Sequence, residues 1–143
     1  MKIYLATSWR NPDQPRLVAL LRGAGHEVYD FKNPPNGDAG FAWSEVDPNW
    51  LDWPDDLEKY VNGLNHPAAV RGFANDFGAM EWSDTCVCLL PSGVSAALEA
   101  GWCKGSGRLL VAHVIGIREP DLMYKIADAF TRTDEELIAA LGE

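Results

Sequence analysis

Glu99 lies inside an apolar segment and has a side chain that could act as a nucleophile. The helical repeat of this segment predicts that Ser95, Leu98 and Trp102 form an apolar arc facing a sheet. Glu99 then lies at the flank of the arc, one turn after Ser95, which places a carboxylate at the edge of the core. The alternative is a first-turn acid that only interacts with the helix dipole.

A second carboxylate has a similar setting on the preceding helix. Asp76 lies at the margin of a stripe that the same repeat predicts to be buried, namely Val70, Phe73, Phe77 and Met80. A partly desolvated carboxyl group has a raised pKa and can act as an acid, whereas a better hydrated one stays ionised and can act as a nucleophile. The two acids therefore suit complementary roles.

A tyrosine on the first predicted strand can complete such a site. Two carboxylates with separated pKa values and the phenol of Tyr4 would together form machinery that cleaves a glycosidic bond through an oxocarbenium-like transition state. Spacing alone also allows the alternative that Tyr4 is a buried strand aromatic without a catalytic role.

Alternating strands and helices are predicted to position these side chains. The pattern predicts strands over 3–7, 26–31, 84–90, 108–114 and 129–131. It predicts helices from Pro15, over 66–83, 95–104 and 121–128, and from Thr133, where Glu136 completes a capping box. This order predicts a single-domain α/β fold over 1–143. We expect a doubly wound, flavodoxin- or Rossmann-like parallel sheet of four to five strands with flanking helices.

The segment 32–55 interrupts this alternation. It is rich in Pro and Gly, and its aromatic residues, Phe41 and Trp43 among them, are too many for a disordered linker. Long irregular segments in compact domains are often functional, so we expect a lid. The alternative is an aromatic flap that only covers an edge of the sheet.

The charge and the cysteines limit the partners and the compartment. Twenty-one Asp and Glu against 12 Lys and Arg give a net charge of −9, so the average surface repels a nucleic acid duplex and an anionic membrane. Cys86, Cys88 and Cys103 have neither zinc spacing nor the pattern of a disulfide framework. We interpret them as small buried residues in a reducing cytoplasm, and we expect no metal and no organic cofactor.

Ligands of an open parallel sheet bind beyond the carboxyl ends of its strands, so the turns 8–11 and 92–95 and the aromatic segment are the expected binding elements. No G-x-G-x-x-G follows the first strand and no Walker lysine is present. A dinucleotide or a nucleoside triphosphate therefore lacks its glycine cradle.

Three blocks of sequence carry a resemblance to a known family. They are Tyr4-Leu5-Ala6-Thr7-Ser8-Trp9-Arg10, then Asn75-Asp76 with Met80 and Asp84, then Leu90-Pro91-Ser92-Gly93 leading to Leu98-Glu99-Ala100-Gly101. On these residues the sequence resembles the nucleoside 2-deoxyribosyltransferase-like family, which includes 2′-deoxynucleoside 5′-monophosphate N-hydrolases and CMP-type N-glycosidases. The likeness covers nearly the whole chain and is most specific around Glu99.

The resemblance implies a role for each reactive side chain. Glu99 matches the nucleophile that attacks C1′ of the sugar, Asp76 the acid/base residue that assists departure of the base, and Tyr4 the tyrosine that orients the glutamate. Asp121 and Met123 match the ends of an Asn-Leu-Met segment that reaches the neighbouring subunit's site. This implies at least a homodimer with shared sites, although Asp121 replaces the amide.

Other matches divide between transfer and hydrolysis. Trp9 matches a base-stacking tryptophan of the transferases, whereas Ser8 and Arg10 match 5′-phosphate ligands of the nucleotide hydrolases. Ser92 stands where the transferases have a base-recognising aspartate. With Ser95 and Arg10 at a helix N-terminus, Ser92 would suit a monophosphate dianion. The alternative for Arg10 is a surface cation in a turn.

We therefore expect cleavage of the N-glycosidic bond of a (deoxy)nucleoside 5′-monophosphate or nucleoside through a covalent intermediate on Glu99, with hydrolysis preferred over transfer. Gly93 is expected to contact the substrate, and Phe41 and Trp43 to cover the base. The alternatives are base exchange by a nucleoside 2-deoxyribosyltransferase, a nucleotide-binding module without turnover, and a purely structural domain.

Overall fold

The computed structural model describes residues 1–38 and 40–142, and the chain divides into two compact units. The first unit comprises residues 1–30 and the chain from Ala79 onward, and the second comprises residues 31–78. Ala39 in the predicted lid and Glu143 at the end of the predicted domain lie outside the described residues. That residues 1–143 form one domain stays a prediction.

The first unit contains a five-stranded parallel sheet, which confirms the predicted class of fold. Its strands are β1 (Lys2–Ala6), β2 (Glu27–Tyr29), β3 (Thr85–Leu90), β4 (Leu109–Val114) and β5 (Ala129–Thr131), in the order β2-β1-β3-β4-β5. The strand order reverses between β1 and β3. The crevice outside the carboxyl ends of these two strands is where such sheets bind ligands.

The helices of the described residues are α1 (Gln14–Gly23), α2 (Leu57–Gly63), α3 (Pro67–Trp82), α4 (Val94–Gly105) and α5 (Asp134–Ala140). Short 3₁₀ helices cover Trp43–Glu45, Trp50–Asp55 and Leu122–Ile126, and the last is shorter than the helix predicted over 121–128. The sequence pattern did not predict α2. In the part of the chain that the structure describes, no helix is both long and apolar enough to cross a membrane.

The two faces of the sheet differ because successive residues of a strand point to opposite sides. One face, which we call the aliphatic face, packs against α1 and α5 through Ile3, Leu5, Val87, Leu89, Val111, Leu17, Leu21 and Leu137. The other face, which we call the α4 face, packs against α4 and carries Tyr4, Cys86, Cys88, Leu110 and Ala112, each at most 1% exposed. The three cysteines are buried free thiols, as predicted.

The buried side of α4 is not the one that the sequence pattern predicted. Its buried residues are Ala96, Ala100 and Cys103, whereas Leu98 is 70% exposed and Ser95 is also exposed. The expectation that Ser95 and Leu98 face the sheet is wrong. Small side chains line the contact because they let the helix backbone approach the strands closely in a densely packed interior.

The predicted stripe of α3 is also partly wrong. Val70 and Phe73 are 52% and 67% exposed, although both were expected to be buried. Met80 is buried and Phe77 is half-buried, in agreement with the prediction. Small residues, Ala79 among them, take up buried positions in α3, so the largest apolar side chains again do not mark the packed side of the helix.

An aromatic cluster occupies the second unit. The ring of Trp43 lies 4.8 Å from that of Phe41, 5.3 Å from that of Trp53 and 6.0 Å from that of Tyr60, measured between centroids. Gly72 of α3 allows a close approach here, since a Cβ at that position would lie 2.8 Å from the Cβ of Phe41. The segment predicted as a lid therefore packs around its own aromatic residues.

Candidate functional site

The structure brings two of the predicted reactive side chains into direct contact. Tyr4 projects from β1 on the α4 face, and its hydroxyl donates a hydrogen bond of 2.6 Å to Oε2 of Glu99 on α4. Tyr4 is 1% exposed, whereas Glu99 is half-buried. A phenol that donates to a carboxylate favours the ionised form of that group, and only an ionised carboxyl group is able to act as a nucleophile.

Neighbouring strands hold the phenol of Tyr4 in place. The register sets Tyr29 of β2 on one side of it and Cys86 of β3 on the other. The rings of Tyr4 and Tyr29 are nearly parallel, with 5.8 Å between centroids and 10° between planes. Tyr4 is therefore held in one position, and a side chain must be fixed in this way if it is to orient a second one.

A buried asparagine joins the loops that leave β1 and β3. Asn11 is 5% exposed, and its side-chain amide donates to Oγ1 of Thr7 at 3.3 Å and to the carbonyl oxygen of Pro91 at 3.2 Å. The hydroxyl of Thr7 donates to the carbonyl oxygen of Leu89 at 2.8 Å. The sequence placed Asn11 in the turn 8–11 that was expected to bind ligands but gave it no role of its own, and the available signal was the Asn-Pro turn directly after a strand.

The predicted ligand residues after β1 lie in the turn that precedes this asparagine. Ser8 is half-buried, and its Oγ accepts a hydrogen bond of 3.2 Å from the backbone N–H of Arg10. Arg10 is exposed and Trp9 is 49% exposed. A guanidinium and an indole are thus accessible from solvent at the carboxyl edge of the sheet.

A cavity of about 670 Å³ lies in the first unit at the carboxyl ends of β3 and β4. Its size falls within the range of roughly 300–1,000 Å³ that is usual for small-molecule sites. Ser92, Gly93 and Asp121, three of the residues proposed from the sequence as ligand contacts, line it together with the cation Arg118. Glu99 does not line the cavity, but it follows two residues after Ala97, which does.

Tyr124 is a lining residue that sequence analysis missed. Its hydroxyl lies 3.4 Å from Oγ of Ser92, and the thiol of Cys88 contacts both groups. Burial raises the pKa of Tyr124, and it raises the pKa of Cys88 to about 11. Both side chains are therefore neutral near pH 7, and Ser92 and Tyr124 give this wall of the cavity hydrogen-bonding groups without charge.

The other predicted ligand residues of the first unit lie on its surface. Asp121 caps the 3₁₀ helix that follows it, because its Oδ1 accepts a hydrogen bond of 2.9 Å from the backbone N–H of Met123. Met123 is 68% exposed and does not line the cavity. Ser95 is exposed in the first turn of α4, next to the N-cap residue Gly93, and it does not line the cavity either.

The second unit holds the other predicted site residues, which are Asp76, Phe41 and Trp43. Asp76 is half-buried on α3. Its neighbour Asn75 donates a hydrogen bond of 2.7 Å to Oδ2 of Asp38, which ties the preceding loop to the helix. Convergence of Asp76, Phe41 and Trp43 with Glu99 stays a prediction.

Cations, backbone donors and acidic side chains all lie at the carboxyl edge of the first unit, since Glu119 and Asp121 line the cavity beside Arg118. Arg10 and Arg118 are exposed cations, and the backbone N–H groups of the first turn of α4 follow Gly93. Within residues 1–38 and 40–142, no group of three or more His, Cys, Asp or Glu side chains is placed to hold a metal ion.

Comparison with solved structures identifies the fold. No family model and no curated protein matches the sequence. A 2-deoxyribosyltransferase from Bacillus psychrosaccharolyticus matches with a TM-score of 0.59 at 19% identity over 96% of this chain and 90% of the other. A CMP N-glycosidase from Clostridium botulinum matches with a TM-score of 0.50 at 14% identity over 100% of both chains. The chain has the fold of these two enzymes, which are of the types that the sequence resemblance named.

Proposed function

We propose that the protein cleaves the N-glycosidic bond of a nucleoside 5′-monophosphate or a nucleoside, with Glu99 as nucleophile and water as acceptor. The observation that carries this proposal is the hydrogen bond of 2.6 Å from Tyr4 to Glu99. It gives a half-buried carboxylate a fixed orientation, in a fold shared with a 2-deoxyribosyltransferase and a CMP N-glycosidase.

In the proposed reaction the carboxylate of Glu99 attacks C1′ while the bond from C1′ to the base nitrogen breaks. The departing base takes a proton from Asp76, which we propose as the general acid. Water then adds to C1′ and gives a proton to Asp76 as the ester bond to Glu99 breaks, so that both carboxyl groups return to their starting state. Tyr4 keeps the nucleophile oriented in both steps.

We propose that a 5′-phosphate binds at the start of α4. Hydroxyl, backbone N–H and guanidinium groups all donate to a phosphate dianion, and a helix N-terminus favours negative charge. Ser92 and Gly93 line the cavity there, and Ser95 lies in the first turn of the helix. Arg10 and Ser8 would add donors from the loop after β1.

We propose that aromatic side chains cover the base and keep water from the sugar. Phe41 and Trp43 pack edge to face in the second unit. Stacking on an aromatic ring does not depend on the hydrogen-bonding groups of the base, so these rings suit a purine as well as a pyrimidine. No metal or organic cofactor takes part in the proposed reaction.

We further propose a homodimer with shared sites, in the cytoplasm. Large apolar side chains are exposed on the first unit, among them Val94 at 79%, Leu98 at 70%, Leu122 at 80% and Met123 at 68%. Exposed apolar surface of this kind is typical of protein interfaces. The free thiols are typical of a reducing compartment. Sedimentation velocity at several concentrations measures the association state.

The direct test is base release from a panel of nucleosides and nucleoside 5′-monophosphates, followed by chromatography. We expect release from at least one monophosphate and a glycosyl adduct of the parent chain in a mass spectrum after rapid quenching. Glu99→Ala should give neither product. Full base release by Glu99→Ala on every accepted substrate would contradict the proposed nucleophile.

Base exchange is the second candidate function. Trp9 favours it, because an indole that is 49% exposed at the carboxyl edge can stack on an acceptor base. A deoxynucleoside supplied with a second free base would then give a new nucleoside. Hydrolysis alone gives free sugar and no new nucleoside. Tight binding of nucleotide with neither product would instead identify a binding module without turnover.

A further inference from the structure

We propose that Cys86 and Cys103 are positioning residues for Glu99, because their contact sets the distance between α4 and the sheet. The effect on reaction rate rests on the proposed function, whereas the effect on geometry does not. Sequence analysis treated these cysteines as ordinary buried residues.

Two contacts between the sheet and α4 lie side by side. Tyr4 and Cys86 are partners in the register of β1 and β3. Glu99 and Cys103 are four residues apart on α4, and residues at this spacing share one side of a helix. The contact of Cys86 with Cys103 is therefore the neighbour of the hydrogen bond from Tyr4 to Glu99.

The thiol contact is fully enclosed. Cys86 and Cys103 are both 0% exposed, and Ala100 beside them is 2% exposed. The contact also changes the acidity of the thiols: it raises the pKa of Cys86, as does burial, and it lowers the pKa of Cys103. An interior packed in this way has no room for an additional methyl group unless an element moves.

A movement of α4 away from the sheet acts directly on the nucleophile. The hydrogen bond of Tyr4 to Glu99 is 2.6 Å long, and O–H···O hydrogen bonds in proteins span about 2.5–3.0 Å. A displacement of α4 by about 1 Å would therefore break it, and misplacement on this scale can cost about 100-fold in rate. The size of the two cysteines is what keeps the bond short.

The test enlarges one cysteine and then restores the total volume. Cys103→Val adds bulk on the helix side, and Cys86→Ala combined with Cys103→Val returns the pair to nearly its original volume. Cys86→Val adds the same volume from the strand side, where valine is favoured, and it replaces Cys103→Val if that variant does not fold. Val87→Ile is the matched control, since it enlarges the next residue of β3 on the aliphatic face.

Crystal structures of the variants measure the distance from Tyr4 Oη to Glu99 Oε2. We expect a distance above 3.5 Å in Cys103→Val, and a return to hydrogen-bond length in the double variant and in Val87→Ile. Kinetics should show a fall in kcat of about 10- to 100-fold for Cys103→Val with KM nearly unchanged, and recovery of kcat in the double variant.

A short distance retained in both valine variants would overturn the proposal. A fall in kcat as large for Val87→Ile as for Cys103→Val would do so as well, because it would indicate a general loss of packing. If the parent chain releases no base from any substrate, the proposed function fails, and the measured distances still decide whether the cysteines position Glu99.

Discussion

The two faces of the sheet differ in the size and chemistry of their side chains. The aliphatic face is packed with Leu, Ile and Val from the strands, α1 and α5. The α4 face has a phenol and thiols from the strands, and α4 meets it with alanine and cysteine. Both faces are buried, and on the α4 face the buried phenol of Tyr4 holds the half-buried carboxylate of Glu99 by a hydrogen bond.

This difference indicates how one small sheet can serve stability and chemistry separately. Aliphatic burial contributes about 25 cal/mol for each Å² removed from water, and large side chains supply most of that area. Small residues supply less, but they let a helix come close enough for a glutamate to reach a strand tyrosine. Strand alternation places Ile3 and Leu5 of β1 on the aliphatic face and Tyr4 at the proposed site on the α4 face.

The strongest test of this separation is Glu99→Gln. The amide oxygen can still accept from Tyr4, so the free energy of unfolding should change by less than about 1 kcal/mol. The amide cannot attack C1′, so base release should fall roughly 1,000-fold or more. Urea denaturation and a chromatographic assay measure the two effects. Glu135→Gln, an exposed change on α5, is the control and should alter neither.

The converse test is Leu137→Ala on α5. Leu137 is 0% exposed in the aliphatic cluster, so we expect a loss of about 2–5 kcal/mol in the free energy of unfolding. At a temperature where the variant is still folded, kcat should stay close to that of the parent. A fall in kcat comparable with that of Glu99→Gln would show that the two faces are not independent.

A smaller effect is expected from Tyr4→Phe. This change removes only the hydroxyl that donates to Glu99 and keeps the ring beside Tyr29. Hydrogen bonds to charged groups are worth about 1.5–3 kcal/mol, so kcat should fall about 10- to 100-fold. Steady-state kinetics measure it. If Tyr4→Phe lowered kcat by the same factor in the Glu99→Gln variant as in the parent, a role of Tyr4 that acts through Glu99 would be contradicted.

Much of the first unit could be predicted because its strands are short apolar runs between clear stops. The strand over 129–131 has the predicted bounds, and Thr133 caps α5 by accepting from the backbone N–H of Glu136. The capping box differs in one respect: the carboxylate of Glu136 accepts from the N–H of Arg132, one residue before the cap. Local patterns predict such features well because their partners are near in sequence.

The sides of the helices could not be predicted in the same way. In α4, Val94 and Leu98 make one apolar side while Ala96, Ala100 and Cys103 make another, and a periodicity based on hydrophobicity favours the larger residues. Which side packs is decided by how closely the helix approaches the sheet. The pairing of Tyr4 with Glu99 was predicted from family resemblance, since spacing alone does not place a strand residue against a helix residue.

The smallest predicted effect concerns a buried histidine on the aliphatic face. His113 of β4 is 0% exposed, and its Nδ1 lies 2.8 Å from Oγ1 of Thr131. Its Nε2 lies 3.8 Å from Oδ1 of Asp134 on α5, and that carboxylate also pairs with Arg16 of α1 at 2.7 Å. Burial lowers the pKa of His113, Asp134 opposes this, and Arg16 adds to it.

A lowered pKa in the folded state makes stability depend on pH in a defined direction. Below about pH 6.5 the unfolded chain binds a proton at His113 more readily than the folded chain. The contribution of the neutral imidazole to the free energy of unfolding is therefore complete above that pH, and it is lost as the pH falls through the folded pKa.

His113→Asn should therefore lose less unfolding free energy than the parent between pH 7.5 and pH 5, as measured by urea denaturation at each pH. Base release by the folded variant should keep the parent's kcat at pH 7.5, because the imidazole lies on the face that does not carry Glu99. Equal pH dependence in variant and parent would mean that the aliphatic face tolerates the imidazolium, and that its separation from the charged chemistry of the α4 face is less strict than the packing indicates.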